Sequence, residues 1–261
     1  MATTLDFDEK AAAQVDAIYS TPDVAATRTA VLRASNAKPG ETVLDVGCGP
    51  GYLLRDLALT TGKGGSAIGV DISEPMLDLA RRRCAGLDNA RLEKADATGL
   101  PVADGSADLI CGLQIYAYVP ELDAALSEAR RALKTGGRLI ILDTDFESVV
   151  WESRDRARMH RVLQAYNAHV AWPDLPRILP RKLKEYGFRL ERCEVVPILT
   201  TNFNADKYVF GIADFIHRFV TGRGTMTQSE ADAWKAEFEA LDREDAFFFS
   251  INRYLFTVTR P

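Results

Sequence analysis

The chain has 261 residues, of which 47% are hydrophobic and 26% are charged. This length and composition fit one large globular domain, and they exclude a disordered, fibrous or coiled-coil protein. The formal net charge of -5 argues against nucleic acid and anionic membranes as partners, because the chain has no overall positive field that would attract phosphate groups.

The cysteines and the N-terminus bear on metal binding and location. The four cysteines, Cys48, Cys84, Cys111 and Cys193, have neither the paired spacing nor the neighbouring histidines of a zinc site or a disulfide framework. No stretch approaches the roughly 20 apolar residues that span a bilayer, and the acidic N-terminus lacks the apolar core of a signal peptide. We therefore predict a cytoplasmic protein, monomeric or homodimeric, with no metal ion and no membrane partner.

Predicted strands and helices alternate along the chain after an N-terminal helical lead, 1–38. Apolar, β-branched or alternating patterns predict seven strands, at 42–46, 66–71, 90–95, 107–113, 138–143, 187–196 and 247–258. A long helical region, 205–242, precedes the last of them. This alternation predicts an α/β fold with a mainly parallel sheet and helices on both faces.

Segment 145–186 interrupts the alternation. Its pattern predicts a helical stretch at 151–169, followed by a proline-rich loop between Trp172 and Pro180. We interpret the segment as a helical, cap-like insertion after the fifth strand of a single domain, 1–261.

A glycine-rich turn follows the first predicted strand, in the segment Val43-Leu44-Asp45-Val46-Gly47-Cys48-Gly49-Pro50-Gly51. Glycines at alternate positions let the backbone turn sharply and let a ligand lie against the main chain. The third glycine of a dinucleotide fingerprint would fall at Tyr52, and no Gly-Lys-Ser/Thr follows, so neither a dinucleotide motif nor a phosphate-binding P-loop is present.

Three carboxylates stand near three successive predicted strand ends: Asp45, Asp71 and Asp96. The carboxyl ends of parallel strands converge on one crevice, where ligands of α/β proteins bind. Asp71 has the place from which an acidic residue accepts hydrogen bonds from ribose hydroxyls, and Asp96 could accept one from an adenine amino group.

Together these segments resemble the class I S-adenosylmethionine-dependent methyltransferases. The similarity lies in the glycine turn, in Gly69-Val70-Asp71, in Asp96 with 100–108, and in 133–138, which departs from the family's Leu-Lys-Pro-Gly-Gly turn only at Thr135. It covers about residues 40 to 145. It implies a Rossmann-like, seven-stranded sheet with an antiparallel last strand, and S-adenosylmethionine as cofactor. The C-terminal tail resembles that of the ubiquinone-biosynthesis-like group of small-molecule methyltransferases.

The resemblance implies a set of cofactor-binding residues. They are Tyr19, Arg28, Asp45, Gly47, Cys48, Gly49, Asp71, Ile72, Met76, Asp96, Ala97 and Gln114. Among them, Ile72 and Ala97 would flank the adenine and Gln114 would lie near the sulfonium, through its backbone. Tyr19 and Arg28 belong to a helical lead that closes over the cofactor in similar enzymes, so Arg28 could pair with the methionine carboxylate.

Candidates for acceptor chemistry fall in the insertion. His160 and His169 are predicted general bases, with a surface position as the alternative for each. Trp151, Tyr166 and Trp172 give the insertion an aromatic character that suits an apolar or planar acceptor, or that packs the cap onto the domain.

The predicted function is methyl transfer from S-adenosylmethionine to a small-molecule acceptor, such as a natural product, by in-line displacement aided by proximity. Two alternatives remain open at this stage. In one, the methyl acceptor is RNA or protein, against which the acidic charge balance argues. In the other, the chain binds the cofactor without methylating and acts as a scaffold or a cyclase-like protein.

Overall fold

Strands of the chain form a single sheet in the computed structural model, which describes residues 8–224 and 226–261. The strands are β1 (Thr42–Val46), β2 (Ser66–Asp71), β3 (Ala90–Lys94), β4 (Ala107–Leu113), β5 (Leu133–Thr144), β6 (Val150–Trp151), β7 (Arg189–Thr200) and β8 (Phe249–Thr259). Their order is β3-β2-β1-β4-β5-β8, and β6 and β7 both pair with β8. The neighbours among β1 to β5 are parallel, whereas β8 is antiparallel to each of its partners.

Helices flank the sheet. Those in the described residues are α1 (Glu9–Tyr19), α2 (Pro22–Ser35), α3 (Tyr52–Thr61), α4 (Glu74–Arg83), α5 (Leu122–Ala132), α6 (Arg156–Asn167), α7 (Leu175–Glu185), α8 (Tyr208–Val220) and α9 (Gln228–Arg243). Leu54 and Leu57 of α3 pack in the core on one face, and Leu126 of α5 and Leu183 of α7 pack in the core on the other. Burying each such side chain contributes about 1.5–3 kcal/mol, which fixes the helices on both faces.

The predicted fold class is confirmed, with one addition and one correction. The addition is strand β6, which has only two residues and is too short to produce a recognisable sequence pattern. The correction concerns the loop predicted through Pro176 and Pro180, which is wrong because these residues lie in α7. Pro176 stands in the first turn, where its missing N–H has no intrahelical partner to lose.

A helical layer covers the carboxyl edge of the strands, and it has three sources in the chain. Helix α8 contacts α1, α6 and α9, and we call these four helices the lid. Helix α7 packs instead on β5 and β7, so the predicted insertion 145–186 supplies only α6 to this layer. The region between β7 and β8 supplies α8 and α9, and the N-terminal lead supplies α1.

Polar and aromatic contacts fasten the lid to the sheet. The buried carboxylate of Glu237 in α9 accepts hydrogen bonds from Ser153 Oγ at 3.0 Å and from Arg158 at 2.9 Å. The Trp151 ring stacks on Phe238 with 4.6 Å between ring centroids. Trp151 therefore packs the lid, which is the alternative that the sequence left open.

None of the described helices is long and apolar enough to cross a membrane.

Candidate active site

A cavity of about 1270 Å³, partly open to solvent, lies between the glycine turn after β1 and the lid. A side chamber of about 460 Å³ adjoins it. Four residues line both spaces: Tyr19, Gly47, Gln114 and Arg253. The two spaces therefore form one crevice, at the place where ligands of α/β sheets bind. We call the side chamber and the part of the cavity beside the glycine turn the cofactor end, and the part under the lid the acceptor end.

The glycine turn needs residues without a side chain. Gly47 and Gly49 have positive φ angles of 65° and 50°, which side chains disfavour. A Cβ atom on Gly47 would lie 2.7 Å from Ile115, whereas one on Gly49 would have as its nearest neighbour the Tyr19 ring at 3.9 Å. The bare backbone of Gly49 thus leaves a cradle in the cavity wall, which a side chain would fill.

Asp71 stands at the end of β2 beside this cradle. Its Oδ2 accepts a hydrogen bond from Gly49 N at 2.9 Å, and its Oδ1 accepts one from Ser73 N at 2.9 Å. A carboxylate offers about four acceptor positions, so roughly two remain for a ligand. Burial raises the pKa of Asp71, while these backbone donors lower it.

Asp45 and Cys48 line the side chamber. Asp45 is buried, and its Oδ2 has no hydrogen-bond partner among the described residues. Burial, and to a smaller extent the nearby Asp71 carboxylate, raise the pKa of Asp45 to about 8. An unsatisfied buried acceptor is costly, so this oxygen is poised to receive a hydrogen bond from a ligand's cationic or N–H group.

Gln114 lies where the two spaces meet, with a positive φ of 59°. Its side-chain Nε2 donates to Asp143 Oδ1 at 3.3 Å, and its Oε1 accepts from the Thr144 hydroxyl. Asp143 also accepts from Tyr116 N at 2.9 Å, and burial raises the pKa of Asp143 to about 7. The side-chain amide of Gln114 is thus bound to the end of β5.

Four of the other expected cofactor residues line at least one of the two spaces. Tyr19, Ile72 and Met76 line the main cavity, and Ile72 is 50% exposed at its mouth. Arg28 lines the side chamber, where its Nε lies 3.3 Å from Asp56 and its guanidinium covers the Tyr52 ring. Its pairing with a methionine carboxylate stays a prediction, and Asp56 would compete for the charge.

Asp96 and Ala97 are not among the residues that line either space. Asp96 is exposed, and its Oδ1 accepts hydrogen bonds from Thr98 N at 2.8 Å and Thr98 Oγ1 at 2.6 Å. Ala97 is buried in the core. Their adenine contacts, implied by the resemblance, stay predictions.

The two histidines predicted for catalysis lie in different environments. His160 is on the exposed face of α6 and does not line the cavity, so the structure gives it no place in the site. His169 is buried in the cavity wall. Its Nδ1 lies 2.5 Å from the carbonyl oxygen of Tyr166, which only accepts, so Nδ1 carries the proton.

That tautomer leaves Nε2 of His169 with a free lone pair and no hydrogen-bond partner among the described residues. Burial lowers the pKa of His169 to about 4, so its ring is neutral at pH 7. The ring is clamped by stacking on Tyr166 at 3.8 Å and by an edge contact with Phe146 at 4.6 Å between centroids.

Aromatic and apolar side chains form the rest of this end of the cavity. They are Ile18 of α1, Tyr118, Phe146, Tyr166 of α6, and Tyr208, Ile212 and Phe215 of α8. Trp172 is not part of this wall, and its Nε1 donates to Val119 O at 2.9 Å. Tyr166 is thus the only one of the three aromatic candidates that faces the cavity.

Arg253 is a further residue of the site, which the sequence motifs did not indicate; it is 3% exposed and lines both spaces. The sequence of β8 could have indicated Arg253, because Phe249, Ile251 and Arg253 occupy alternate positions on one buried face. An arginine in the apolar phase of a strand is unusual unless it has a partner or a ligand.

Comparison with known proteins gives the family. The family model described as "Methyltransferase domain" matches residues 37–186. The chain belongs to this family. Its domain is thus a class I S-adenosylmethionine-dependent methyltransferase domain, and S-adenosylmethionine is its cofactor.

Individual methyltransferases of known sequence or structure are similar to parts of the chain. The demethylmenaquinone methyltransferase of Staphylococcus saprophyticus is 37% identical over 120 residues, which are 45% of this chain and 50% of that protein. The chain spans about half the length of the curated relatives it matches.

Solved structures share the fold. A protein of Bacillus halodurans C-125 named as a methyltransferase has a TM-score of 0.64 and 21% identity, covering 90% of this chain and 99% of its own. The geranyl diphosphate C-methyltransferase of Streptomyces coelicolor, solved with S-adenosyl-L-homocysteine, has a TM-score of 0.59 and 19% identity, covering 91% of this chain and 79% of its own.

The residues of this methyltransferase domain fit its cofactor. The cradle at Gly49 admits a ligand against the backbone, and Asp71 beside it has free acceptor positions for ribose hydroxyls. The unpartnered Asp45 Oδ2 in the side chamber suits the cationic amino group of the methionine part. Among the described residues, no group of three or more His, Cys, Asp or Glu side chains is placed to hold a metal ion.

Proposed function

We propose that this protein transfers a methyl group from S-adenosylmethionine to a small molecule that enters the aromatic end of the cavity. The observation that carries the proposal is the cavity itself, which continues from the glycine turn to the aromatic wall under the lid. One part of this cavity is lined by the glycine turn and Asp71, and another by Tyr166, His169 and Phe215, so a cofactor and an acceptor would lie next to each other.

The surface charges argue for a small acceptor over RNA. The two basic clusters of the sequence, 81–83 and 177–184, are largely neutralised by neighbours. In the first, Arg81 pairs with Asp78 at 2.6 Å and Arg83 with Asp16 at 2.9 Å. In the second, Arg177 pairs with Asp145, Arg181 with Glu185 and Lys182 with Asp123, at 2.6–3.0 Å. Neither cluster provides the free positive patch that phosphate backbones require.

His169 is the base in this proposal. Bound S-adenosylmethionine supplies an electrophilic methyl group on a sulfonium. An acceptor atom that carries a proton must release it when the methyl bond forms, and the neutral Nε2 of His169 can take that proton. Tyr166 and Phe146 hold the ring in place, so little reorganisation is needed.

A transfer assay with a trideuteromethyl-labelled donor tests the function. The full chain is incubated with the donor and with separate metabolite, RNA and protein fractions, and products are analysed by mass spectrometry. We expect label in one or a few small molecules, and none with the Asp71→Ala variant, whose cofactor site is damaged.

Other outcomes of the assay would contradict the proposal. Label only in RNA or protein would establish the macromolecular alternative. Normal cofactor binding without transfer to any fraction would favour the non-methylating alternative, a scaffold or a cyclase-like protein.

A further inference from the structure

Arg253 is the only arginine among residues 8–224 and 226–261 that is buried. The partly buried arginines of the lid and the cofactor end have carboxylate partners, such as Glu237 for Arg158 at 2.9 Å and Asp56 for Arg28 at 3.3 Å. Arg253 forms no salt bridge with any described carboxylate, and its Nε has no hydrogen-bond partner. An enclosed guanidinium without a counter-charge is unfavourable unless a ligand supplies one.

The surroundings of Arg253 are tyrosine rings and not acids. Its guanidinium carbon lies 4.9 Å from the centre of the Tyr208 ring, and it contacts the Tyr208 hydroxyl. Its positive charge also acts on Tyr19, Tyr118 and Tyr166, where it opposes the rise in pKa that burial causes. Arg253 thus stands among the tyrosines that enclose the crevice.

The charges of the two ends of the crevice differ. The acidic residues Asp45 and Asp71 line the cofactor end, which suits a cofactor whose amino and sulfonium groups are cationic. Arg28 also lines the side chamber and is paired with Asp56. Arg253 lies where both spaces meet, so its charge would repel a sulfonium there. An anionic group on the acceptor removes this repulsion and provides the missing partner.

We propose that Arg253 is the anion-binding residue of the acceptor pocket, and that the acceptor is a planar, apolar molecule carrying a carboxylate or an ionised hydroxyl. The inference rests on the proposed function, since it assigns the chemistry of the same pocket. The aromatic wall of Tyr166, Tyr208 and Phe215 contacts the planar body, and Arg253 fixes its orientation through the charged oxygen. Where the oxygen is a hydroxyl, the guanidinium lowers its pKa and so favours release of its proton to His169.

Matched probes test this assignment. The full chain is first titrated with S-adenosylhomocysteine, then saturated with it, and 2-naphthoate and 2-naphthamide are titrated by calorimetry. The two probes share a ring system and differ in charge. We expect the acid to bind at least about tenfold more tightly than the amide. In Arg253→Met the preference should disappear while amide binding stays, and in Arg253→Lys it should be partly kept. Arg192→Met, on the exposed part of β7, is the matched control and should behave as wild type.

Each other result overturns the inference. Equal binding of acid and amide to the wild type, or an acid preference that survives in Arg253→Met, would mean that Arg253 does not bind the acceptor anion. A loss of S-adenosylhomocysteine affinity in Arg253→Met, with the acid preference unchanged, would assign the guanidinium to the cofactor's carboxylate. Failure of the wild type to bind S-adenosylhomocysteine would count against the proposed function instead. Thermal unfolding of each variant checks that it is folded.

Discussion

The two ends of the cavity are built in different ways. At the cofactor end, backbone and carboxylates come from the ends of neighbouring strands, with Gly49 and Asp71 joined by a hydrogen bond of 2.9 Å. At the acceptor end, the wall includes side chains from α1, α6 and α8, which are far apart in the chain. The first end recognises a fixed ligand by main-chain geometry, whereas the second recognises its ligand by shape and charge.

The sharpest test of the cofactor end is Asp71→Ala. We expect S-adenosylmethionine affinity to fall by at least about 100-fold, because two charge-assisted hydrogen bonds, each worth about 1.5–3 kcal/mol, are lost. The substitution also frees Gly49 N and Ser73 N and so loosens the cradle. Calorimetric titration with the cofactor measures the effect.

Substitutions of two other carboxylates provide comparisons for the affinity of Asp71→Ala. Asp88→Ala removes an exposed carboxylate outside the cavity and should leave affinity unchanged. Asp96→Ala should weaken binding by no more than about tenfold, since it would lose one exposed hydrogen bond. Unchanged affinity in Asp71→Ala would mean that the cofactor does not bind at this end of the cavity.

His169→Gln tests the acceptor end. We expect kcat to fall by about 100-fold or more, the usual contribution of a general base, with cofactor affinity unchanged. Because burial lowers the pKa of His169 to about 4, its contribution should be constant from about pH 5 upward and lost as the pH falls through 4. The measurements are steady-state kinetics across pH and calorimetry with the cofactor.

His160→Gln is the matched control for this variant, because it makes the same change on exposed α6. It should retain wild-type kcat. Equal losses in the two variants, or full activity in His169→Gln, would mean that no histidine of this segment acts as the base.

The same contrast explains how far the sequence could predict the molecule. The glycine turn, Asp71 and the mainly parallel sheet were predictable because a contiguous motif and a regular alternation encode them. The lid was not, because Tyr166, Tyr208 and Ile18 meet only after three separate segments fold together. His160 and His169 look equivalent in the sequence. In the structure they differ because His160 lies on the exposed face of α6, whereas His169, which follows α6, is buried in the cavity wall.

Arg28→Met asks whether the N-terminal lead belongs to the cofactor end. We expect S-adenosylmethionine affinity to fall by less than about tenfold, because Asp56 already shares the charge of Arg28 in a partly exposed pair. Arg55→Met is the control, since Arg55 lies 3.9 Å from the same Asp56 and outside both spaces. A loss above about 100-fold in Arg28→Met would mean that Arg28 leaves Asp56 and pairs fully with the cofactor.

Asp45→Asn probes an effect on stability rather than on binding. The folded-state pKa of Asp45 is raised from 3.8 to about 8 by burial, so the folded protein holds a proton that the unfolded chain has released. Between about pH 4 and pH 8 the wild type therefore loses stability as pH rises, by at most about 1.4 kcal/mol per pH unit, and Asp45→Asn lacks this loss. Thermal unfolding should find the variant increasingly more stable than the wild type toward pH 8.

Two comparisons decide what this buried carboxylate does. Asp88→Asn, an exposed control, should follow the wild type at every pH. S-adenosylhomocysteine should stabilise the wild type more than Asp45→Asn at pH 8, because its cationic amino group pairs with the ionised Asp45 and binding adds to the stability of the folded state. Parallel pH curves for wild type and Asp45→Asn would contradict the raised pKa, and equal stabilisation by the ligand would place the amino group away from Asp45. In the latter case the side chamber would be a structural void, and the cofactor end would reduce to the glycine turn and Asp71.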